Sequence, residues 1–174
     1  MVQAGKEGTI YLLDRMKMGH YCSGCSHDTQ IVQEIPSGVI KNFSAPAFWN
    51  NRVYFGGAGD HIKAFSFNAN NSGLLSFSPV AKSSTVFGSR GTTPTISSNG
   101  TSNGILWALE NATTTYAVLH AYNATTMTEI YNSNQALNGR DHPGGPVKFT
   151  TPVIANGKVY VGGKGTVTAF GLLP

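Results

Sequence analysis

The sequence predicts an all-β protein: a partial β-propeller of about four blades of antiparallel strands, two whole and two incomplete. A repeated phrase is the main reason. Residues 46–65 read P-A-F-W-N-N-R-V-Y-F-G-G-A-G-D-H-I-K-A-F, and residues 152–170 read P-V-I-A-N-G-K-V-Y-V-G-G-K-G-T-V-T-A-F. Residues 94–122 form a looser copy. A repeat of roughly 50 residues, built of short strands and glycine-rich turns, is typical of propellers and related β-arrays.

Composition and length support the same fold class. Charged residues make up 11% of the chain, and no segment keeps a helical period. The 174 residues can form one core but are too few for a propeller of roughly six to eight blades. We therefore predict one propeller segment over residues 1–174, completed by the remaining blades of a longer parent protein or by a second copy. The predicted blades are 1–40 (partial), 44–86, 92–135 and 150–174 (partial).

Each copy of the repeat predicts its strands in a fixed order. A proline opens a first strand, because an edge strand tolerates a missing N–H; these strands are predicted at 45–49, 94–98 and 152–155. The pairs Asn50-Asn51, Asn99-Gly100 and Asn156-Gly157 then predict tight hairpin turns, since Asn and Gly tolerate positive φ. Second strands are predicted at 52–55, 105–109 and 158–161, and third strands at 62–67, 117–122 and 166–171.

The outer strands have weaker patterns, as expected where one face meets solvent. We predict them at 74–77 and 128–131. The start of the chain matches the later strands of an earlier copy, at 2–5, 9–14 and 29–35. Aromatic residues at repeated strand positions, including Tyr54 and Tyr160, are predicted to form the core between blades.

Four phrases carry a family resemblance: G-K-E-G-T-I-Y-L-L-D at 5–14, P-A-F-W-N-N-R-V-Y-F-G-G at 46–57, N-G-I-L-W-A-L at 103–109 with L-H-A-Y-N-A at 119–124, and N-G-K-V-Y-V-G-G at 156–163. They resemble the PQQ-like, or quinoprotein-type, β-propeller superfamily. More narrowly, the chain is similar to the C-terminal part of secreted bacterial quinoprotein-like proteins of unassigned activity.

The resemblance does not extend to the cofactor residues of the PQQ-dependent dehydrogenases. Those enzymes are expected to carry an adjacent Cys-Cys pair and a T-G-x-x-x-W phrase, but Cys22 and Cys25 are separated and the phrase is absent. No cofactor is therefore expected. PQQ with Ca²⁺ belongs only to the alternative that the chain is a fragment of such a dehydrogenase.

One compact cluster has the composition of a metal site. His20, Cys22, Cys25 and His27 lie in a single predicted loop, and two thiolates with two imidazoles would satisfy tetrahedral Zn²⁺. In an oxidising compartment the same two cysteines could instead form a disulfide. Both alternatives stay open at this point.

Two further groups contain residue types that can carry chemistry. Asp60-His61 follows a Gly-Gly turn, and Arg140-Asp141-His142 precedes the loop P-G-G-P. An aspartate beside a histidine can orient an imidazole for general-base catalysis, but solvated turn charges are the favoured interpretation. Arg90, in the sequence G-S-R-G, could face an anion, but the segment matches no phosphate-binding motif and a connection between blades is the favoured interpretation.

Charge and hydropathy limit the predicted partners. The net charge is +4, but the basic residues are scattered, which argues against nucleic acid. No apolar run approaches the roughly 18 residues of a membrane span. Low charge with many Asn and Thr residues is common in exported proteins, so we predict a periplasmic or extracellular location. The predicted function is a non-catalytic scaffold or interaction module of an exported bacterial protein, with a carbohydrate-binding propeller as another alternative and the small-molecule or protein ligand unknown.

Overall fold

The protein is all-β, as the sequence predicts. The computed structural model describes residues 1–26, 28–68, 70, 72–112 and 115–171, and among these it contains strands and short 3₁₀ turns but no α-helix. The strands are β1 (Val2–Ala4), β2 (Ile10–Leu13), β3 (Ile31–Ile35), β4 (Ala47–Trp49), β5 (Arg52–Gly56), β6 (Asp60–Ser66), β7 (Ala81–Phe87), β8 (Thr95–Asn99), β9 (Ser102–Glu110), β10 (Val118–Asn123), β11 (Glu129–Asn132), β12 (Val153–Ala155), β13 (Lys158–Gly163) and β14 (Thr166–Phe170).

These strands form four antiparallel sheets, and each strand pairs with its neighbour in the chain. The sheets have the orders β1-β2-β3, β4-β5-β6-β7, β8-β9-β10-β11 and β12-β13-β14. No sheet closes on itself. Two predicted hairpin turns have the required backbone, with φ of 45° at Asn50 and 56° at Asn51, and 49° at Asn156 and 71° at Gly157. No helix in the described part of the chain is long and apolar enough to cross a membrane.

The sheets pack face to face in chain order, and each contact has its own core. In β5, Val53 and Phe55 pack against the first sheet, whereas Tyr54, between them, packs against the third. In β9, Leu106 faces the second sheet and Leu109 faces the fourth. This follows from the two-residue period of a strand, which sends successive side chains to opposite faces. The second and third sheets are therefore buried on both faces.

Apolar side chains from the segments after third strands close the outer ends of two of these contacts. Leu75 lies between the first and second sheets and is 2% exposed, and Met127 lies between the second and third and is 2% exposed. The Gln33 amide fixes Leu75, because Nε2 donates to the Leu75 carbonyl (2.9 Å) and Oε1 accepts from the Leu75 N–H (2.8 Å).

One face of the fourth sheet packs against the third sheet, and no described residue covers its other face. Val153 (57% exposed) and Val167 (76% exposed) lie on this face with Tyr160, which is half-buried. Tyr160 occupies the same place in its sheet as Tyr54 does in the second, since both pair with an alanine of the next strand. The prediction that Tyr160 is a core residue is therefore wrong, because this side chain is only half-buried and no further sheet formed by the described residues packs on it.

One outer strand also differs from its prediction. Residues 74–77 make only an isolated bridge between Phe67 and Leu75, and the outer strand of the second sheet is β7 instead. The strand predicted at 128–131 is β11, one residue further along. The incomplete sheets at both ends follow the prediction, since the first and fourth sheets have three strands each.

Two buried tyrosines predict alkaline unfolding. Burial raises the pKa of Tyr54 and of Tyr122 to about 12, from an ordinary value of 10.0. Because the phenolate is disfavoured in the folded state, the stability from these two groups is complete below pH 10 and is lost as the pH rises through about 12. Between pH 10 and about 12, we expect the phenolate absorbance to increase while the β-sheet circular dichroism signal decreases. Tyr54→Phe should weaken the loss of structure; titration of all tyrosines without unfolding would contradict the prediction.

Candidate functional site

Of the two alternatives for the cysteine loop, a metal site or a disulfide, the structure has the disulfide. Cys22 and Cys25 are bonded to each other in the β2–β3 loop, with their Cα atoms 5.5 Å apart. His20, Tyr21 and Asp28 line a pocket of about 310 Å³ with them, and Tyr21 is 94% exposed. His27, the fourth predicted ligand, lies outside the described residues. Among the residues that are described, no group of three or more His, Cys, Asp or Glu side chains is arranged for a metal ion.

The disulfide predicts how many cysteine thiols react with a thiol reagent before and after reduction. Unfolded but unreduced protein should show no reaction with a thiol reagent, and reduction should release two thiols, since Cys22 and Cys25 are the only cysteines in the sequence. Mass spectrometry after alkylation measures both states. Two reactive thiols in protein purified under air, without reductant, would contradict this pairing.

Asp60 is a buried structural carboxylate. It is 4% exposed, and its Oδ2 accepts from the Ile40 N–H (3.0 Å) and from Lys63 Nζ (2.7 Å), while Oδ1 accepts from the His61 N–H (2.8 Å). The interpretation of Asp60 as a solvated turn charge is therefore wrong. The carboxylate joins β6 to the connection that enters the second sheet, so its partners are backbone groups and a lysine rather than an imidazole to be activated.

Replacing Asp60 with asparagine should destabilise the fold by about 1–3 kcal/mol, because the amide places a donor against Lys63 Nζ and leaves a buried N–H less well satisfied. Urea unfolding measures the change. Asp14→Asn is the matched control, since Asp14 is an exposed carboxylate that accepts from the Met16 N–H (2.9 Å). Equal effects of the two substitutions would contradict the structural role of Asp60.

Arg140 and Asp141 form an ion pair at the rim of a cleft between the third and fourth sheets. Arg140 Nε donates to Asp141 Oδ1 (2.7 Å), and the Tyr131 hydroxyl donates to Asp141 Oδ2 (2.7 Å). These hydrogen bonds, Arg140 first, hold the pKa of Asp141 below its ordinary value. Burial and the Asp141 carboxylate raise the pKa of Tyr131. The His142 ring stacks on Tyr116, with ring centroids 4.5 Å apart.

The cleft behind this pair has apolar walls. The described residues leave about 500 Å³ there, lined mainly by Ile105, Trp107, Val159 and Phe170. The Trp107 indole N–H donates to Ser97 Oγ (2.9 Å), and both Asp141 oxygens already have partners. The Trp107 indole and the Asp141 carboxylate thus have partners within the protein, and the apolar walls of the cleft offer a place for an apolar side chain or a flat ring.

A buried histidine between two carboxylates escaped the sequence analysis. His120, on β10, is 6% exposed, with Nδ1 2.6 Å from Glu129 Oε1 and Nε2 3.4 Å from Glu110 Oε2. Its ring lies between Phe87 and Tyr122, at centroid distances of 5.5 and 6.0 Å. The register of β9, β10 and β11 brings the imidazole and the two carboxylates together. A signal was present, because a histidine stands inside the apolar stretch V-L-H-A-Y.

The sequence candidates do not converge on one centre. Cys22 and Cys25 lie in the β2–β3 loop, Asp60 begins β6, Arg90 lies between the second and third sheets, and Arg140 follows β11. The His120 cluster is a fifth location, packed between the second and third sheets. Comparison with family models, with curated proteins and with solved structures finds no match to this chain.

Proposed function

We propose that this chain is a section of a PQQ-like β-propeller that acts as a non-catalytic interaction module of an exported bacterial protein. The observation that carries the proposal is the packing of successive sheets. They stack face to face in chain order, and the first strands β4 and β12 both lie against the first strand β8. First strands gathered side by side around an axis are the arrangement of propeller blades.

The uncovered face of the fourth sheet supports the proposal that another blade-like sheet packs on it. Tyr160, Val167 and Ala169 correspond by register to Tyr54, Ile62 and Ala64, which pack against the third sheet. A face with these residues is suited to a further blade, whether from the same polypeptide or from a second copy. The Cys22–Cys25 disulfide supports an oxidising compartment outside the cytosol.

Sedimentation equilibrium of the 174-residue chain tests this partner surface. We expect reversible, concentration-dependent association that the Val153→Lys, Val167→Lys double variant abolishes, because lysine on an apolar contact face opposes its burial. Val32→Lys on β3 is the control, since Val32 is exposed at a distant sheet. A chain that stays monomeric at high concentration would contradict the proposed face.

Titration with pyrroloquinoline quinone (PQQ) and Ca²⁺ tests the alternative that the chain is a fragment of a dehydrogenase. A module without a quinone site should leave the quinone absorbance unchanged. A saturable absorbance shift would overturn the non-catalytic proposal and favour a fragment of a PQQ-dependent enzyme.

Carbohydrate binding is a second candidate, and exposed aromatic rings favour it. Among the described residues, the most exposed are Tyr21, Phe77 (72% exposed), Phe48 (62%) and Phe149 (58%). Rings on a surface can stack on the apolar faces of sugars, whereas rings in a core cannot. Binding to a panel of immobilised polysaccharides measures this activity, and retention on none of them would remove the candidate.

A further inference from the structure

Each of the connections between sheets carries a basic residue shortly before a proline. The connections run from the last strand of one sheet to the first strand of the next, and they contain K-N-F-S-A-P at 41–46, R-G-T-T-P at 90–94 and K-F-T-T-P at 148–152. We call this end of the molecule the connector end. Because the sheets stack in chain order, the three cations Lys41, Arg90 and Lys148 are placed one per sheet-to-sheet step.

Backbone hydrogen bonds place the first two of these cations on either side of one turn. The Ala58 N–H donates to the Lys41 carbonyl (2.7 Å), and the Thr92 N–H donates to the Gly56 carbonyl (3.0 Å). The β5–β6 turn of the second sheet is thus held between the connection that contains Lys41 and the connection that contains Arg90. These bonds fix the backbone at Lys41 and at Thr92, two residues after Arg90.

Aromatic rings extend the row in both directions. The Arg90 guanidinium lies over the Phe149 ring at 5.9 Å, which joins it to the connection of Lys148. At the other end, Lys6 Nζ lies over the Phe43 ring at 5.6 Å. Phe43 and Phe149 each stand three residues before the proline of their connection, and they are 38% and 58% exposed. The row therefore combines four cations with two partly exposed rings.

The charges of this row are not neutralised within the described part of the chain. Lys6, Lys41, Arg90 and Lys148 make no ion pair there, and the carboxylate of Asp60 is already bonded to Lys63. Glu7 is the exposed acid beside Lys6. Arg90 also has a φ of 89°, a conformation that residues other than glycine rarely adopt. A basic side chain is thus presented from a strained backbone position, which points to a role for it.

We propose that the connector end binds an acidic polysaccharide along this row. Carboxylates of uronic acid units would face the cations, and the apolar faces of the sugar rings would lie on Phe43 and Phe149. The inference rests on the proposed interaction module and deepens it by giving it a ligand from the class of the second candidate, a carbohydrate. It names both the surface and the ligand class.

The spacing of the cations favours a polysaccharide over a nucleic acid. Packed sheets are about 10 Å apart, so a cation that recurs once per sheet has roughly that spacing. One strand of DNA carries a phosphate for about every 3.4 Å of helix axis, which is a far denser charge. A polysaccharide with a carboxylate on every second sugar has a charge spacing of the same order as the row.

Isothermal titration with hyaluronan, which has one carboxylate per disaccharide, tests the proposal. The unmodified chain should bind, and binding should weaken between low and physiological salt, because exposed charges are screened. The triple variant Lys41→Ala, Arg90→Ala, Lys148→Ala should bind at least about 10-fold more weakly. Phe149→Ala alone should also weaken binding, since it removes a ring and leaves every cation in place.

The control variant removes the same charge from the opposite end. Arg15→Ala, Lys17→Ala, Lys158→Ala alters residues near the β2–β3 loop and the β12–β13 turn, and should change hyaluronan affinity less than about 2-fold. Thermal melting of both triple variants verifies that they are folded. Equal losses in the two, absence of hyaluronan binding, or tighter binding of single-stranded DNA would each overturn the proposal. The sedimentation and quinone experiments do not involve this surface. Failure of the proposed function can therefore be distinguished from failure of the polysaccharide proposal.

Discussion

Replacing Tyr54 with alanine is expected to lower the free energy of unfolding by about 3–5 kcal/mol, the range for large aromatic residues removed from a core. Tyr54 is fully buried at the centre of the contact between the second and third sheets. Its hydroxyl donates to the Ala124 carbonyl (2.9 Å), so the substitution removes a ring and also leaves a buried carbonyl without its donor. Urea unfolding followed by circular dichroism measures the change.

Two controls separate the sources of this loss. Tyr54→Phe keeps the ring and removes the hydrogen bond, and should cost only about 0.5–1.5 kcal/mol. Tyr160→Ala changes the residue at the corresponding place in the fourth sheet, where the side chain is half-buried, and should cost clearly less than Tyr54→Ala. If the two alanine substitutions proved equally damaging, the fourth sheet would have to be covered in solution.

Replacing His120 with alanine is expected to destabilise the protein by about 2–4 kcal/mol, somewhat less than the loss of a partner from a fully buried ion pair. The substitution leaves Glu110 and Glu129 close together without the imidazole between them. It also opens space between Phe87 and Tyr122. Both glutamates are about one quarter exposed, so water screens part of their repulsion.

A double-mutant cycle tests whether the carboxylates cause this loss. Glu129→Gln removes the charge nearest to His120, and the His120→Ala, Glu129→Gln double variant should be more stable than the sum of the two single changes predicts. His142→Ala is the control, because that imidazole is only half-buried and stacks on a single ring. Additive effects at His120 and Glu129 would show that only the lost packing matters.

The strands of the repeats were predictable because their signals are local. Asn50-Asn51 and Asn156-Gly157 adopt positive φ in the structure, as their residue types require for a tight turn. Alternation then fixes which side chains of the following strand face the same way. The prediction of Tyr54 as a core residue is confirmed by its complete burial. All of this information lies within a few residues of each turn.

The errors arise where a distant segment decides the environment. Residues 74–77 include the apolar Leu75, which predicted a strand, but this leucine is instead held by Gln33, far earlier in the chain. The true outer strand β7 has the sequence A-K-S-S-T-V-F, in which burial alternates but small polar residues hide the pattern. Asp60 and His120 are similar, because Asp60 accepts from the Ile40 N–H of another connection and His120 packs on Phe87 of another sheet.

The candidate sites show the same division. The cysteine spacing made a disulfide one of two alternatives, and nothing in the sequence could distinguish an oxidised pair from a metal site. The basic residues are far apart in the chain, so the sequence alone does not group them. Their common place before a proline in successive connections acquires a meaning only when the sheets are stacked.

The unequal cores between the sheets have a consequence for motion. Among the described residues, nine buried residues form the core between the second and third sheets, but only five form the core between the third and fourth. Regions with fewer buried apolar contacts open more readily than the molecule as a whole unfolds. The fourth sheet should therefore detach as a unit and exchange its amide hydrogens early, while the two central sheets stay protected. A partner that covers the exposed face of the fourth sheet would slow this exchange, although it would not contact the core between the third and fourth sheets.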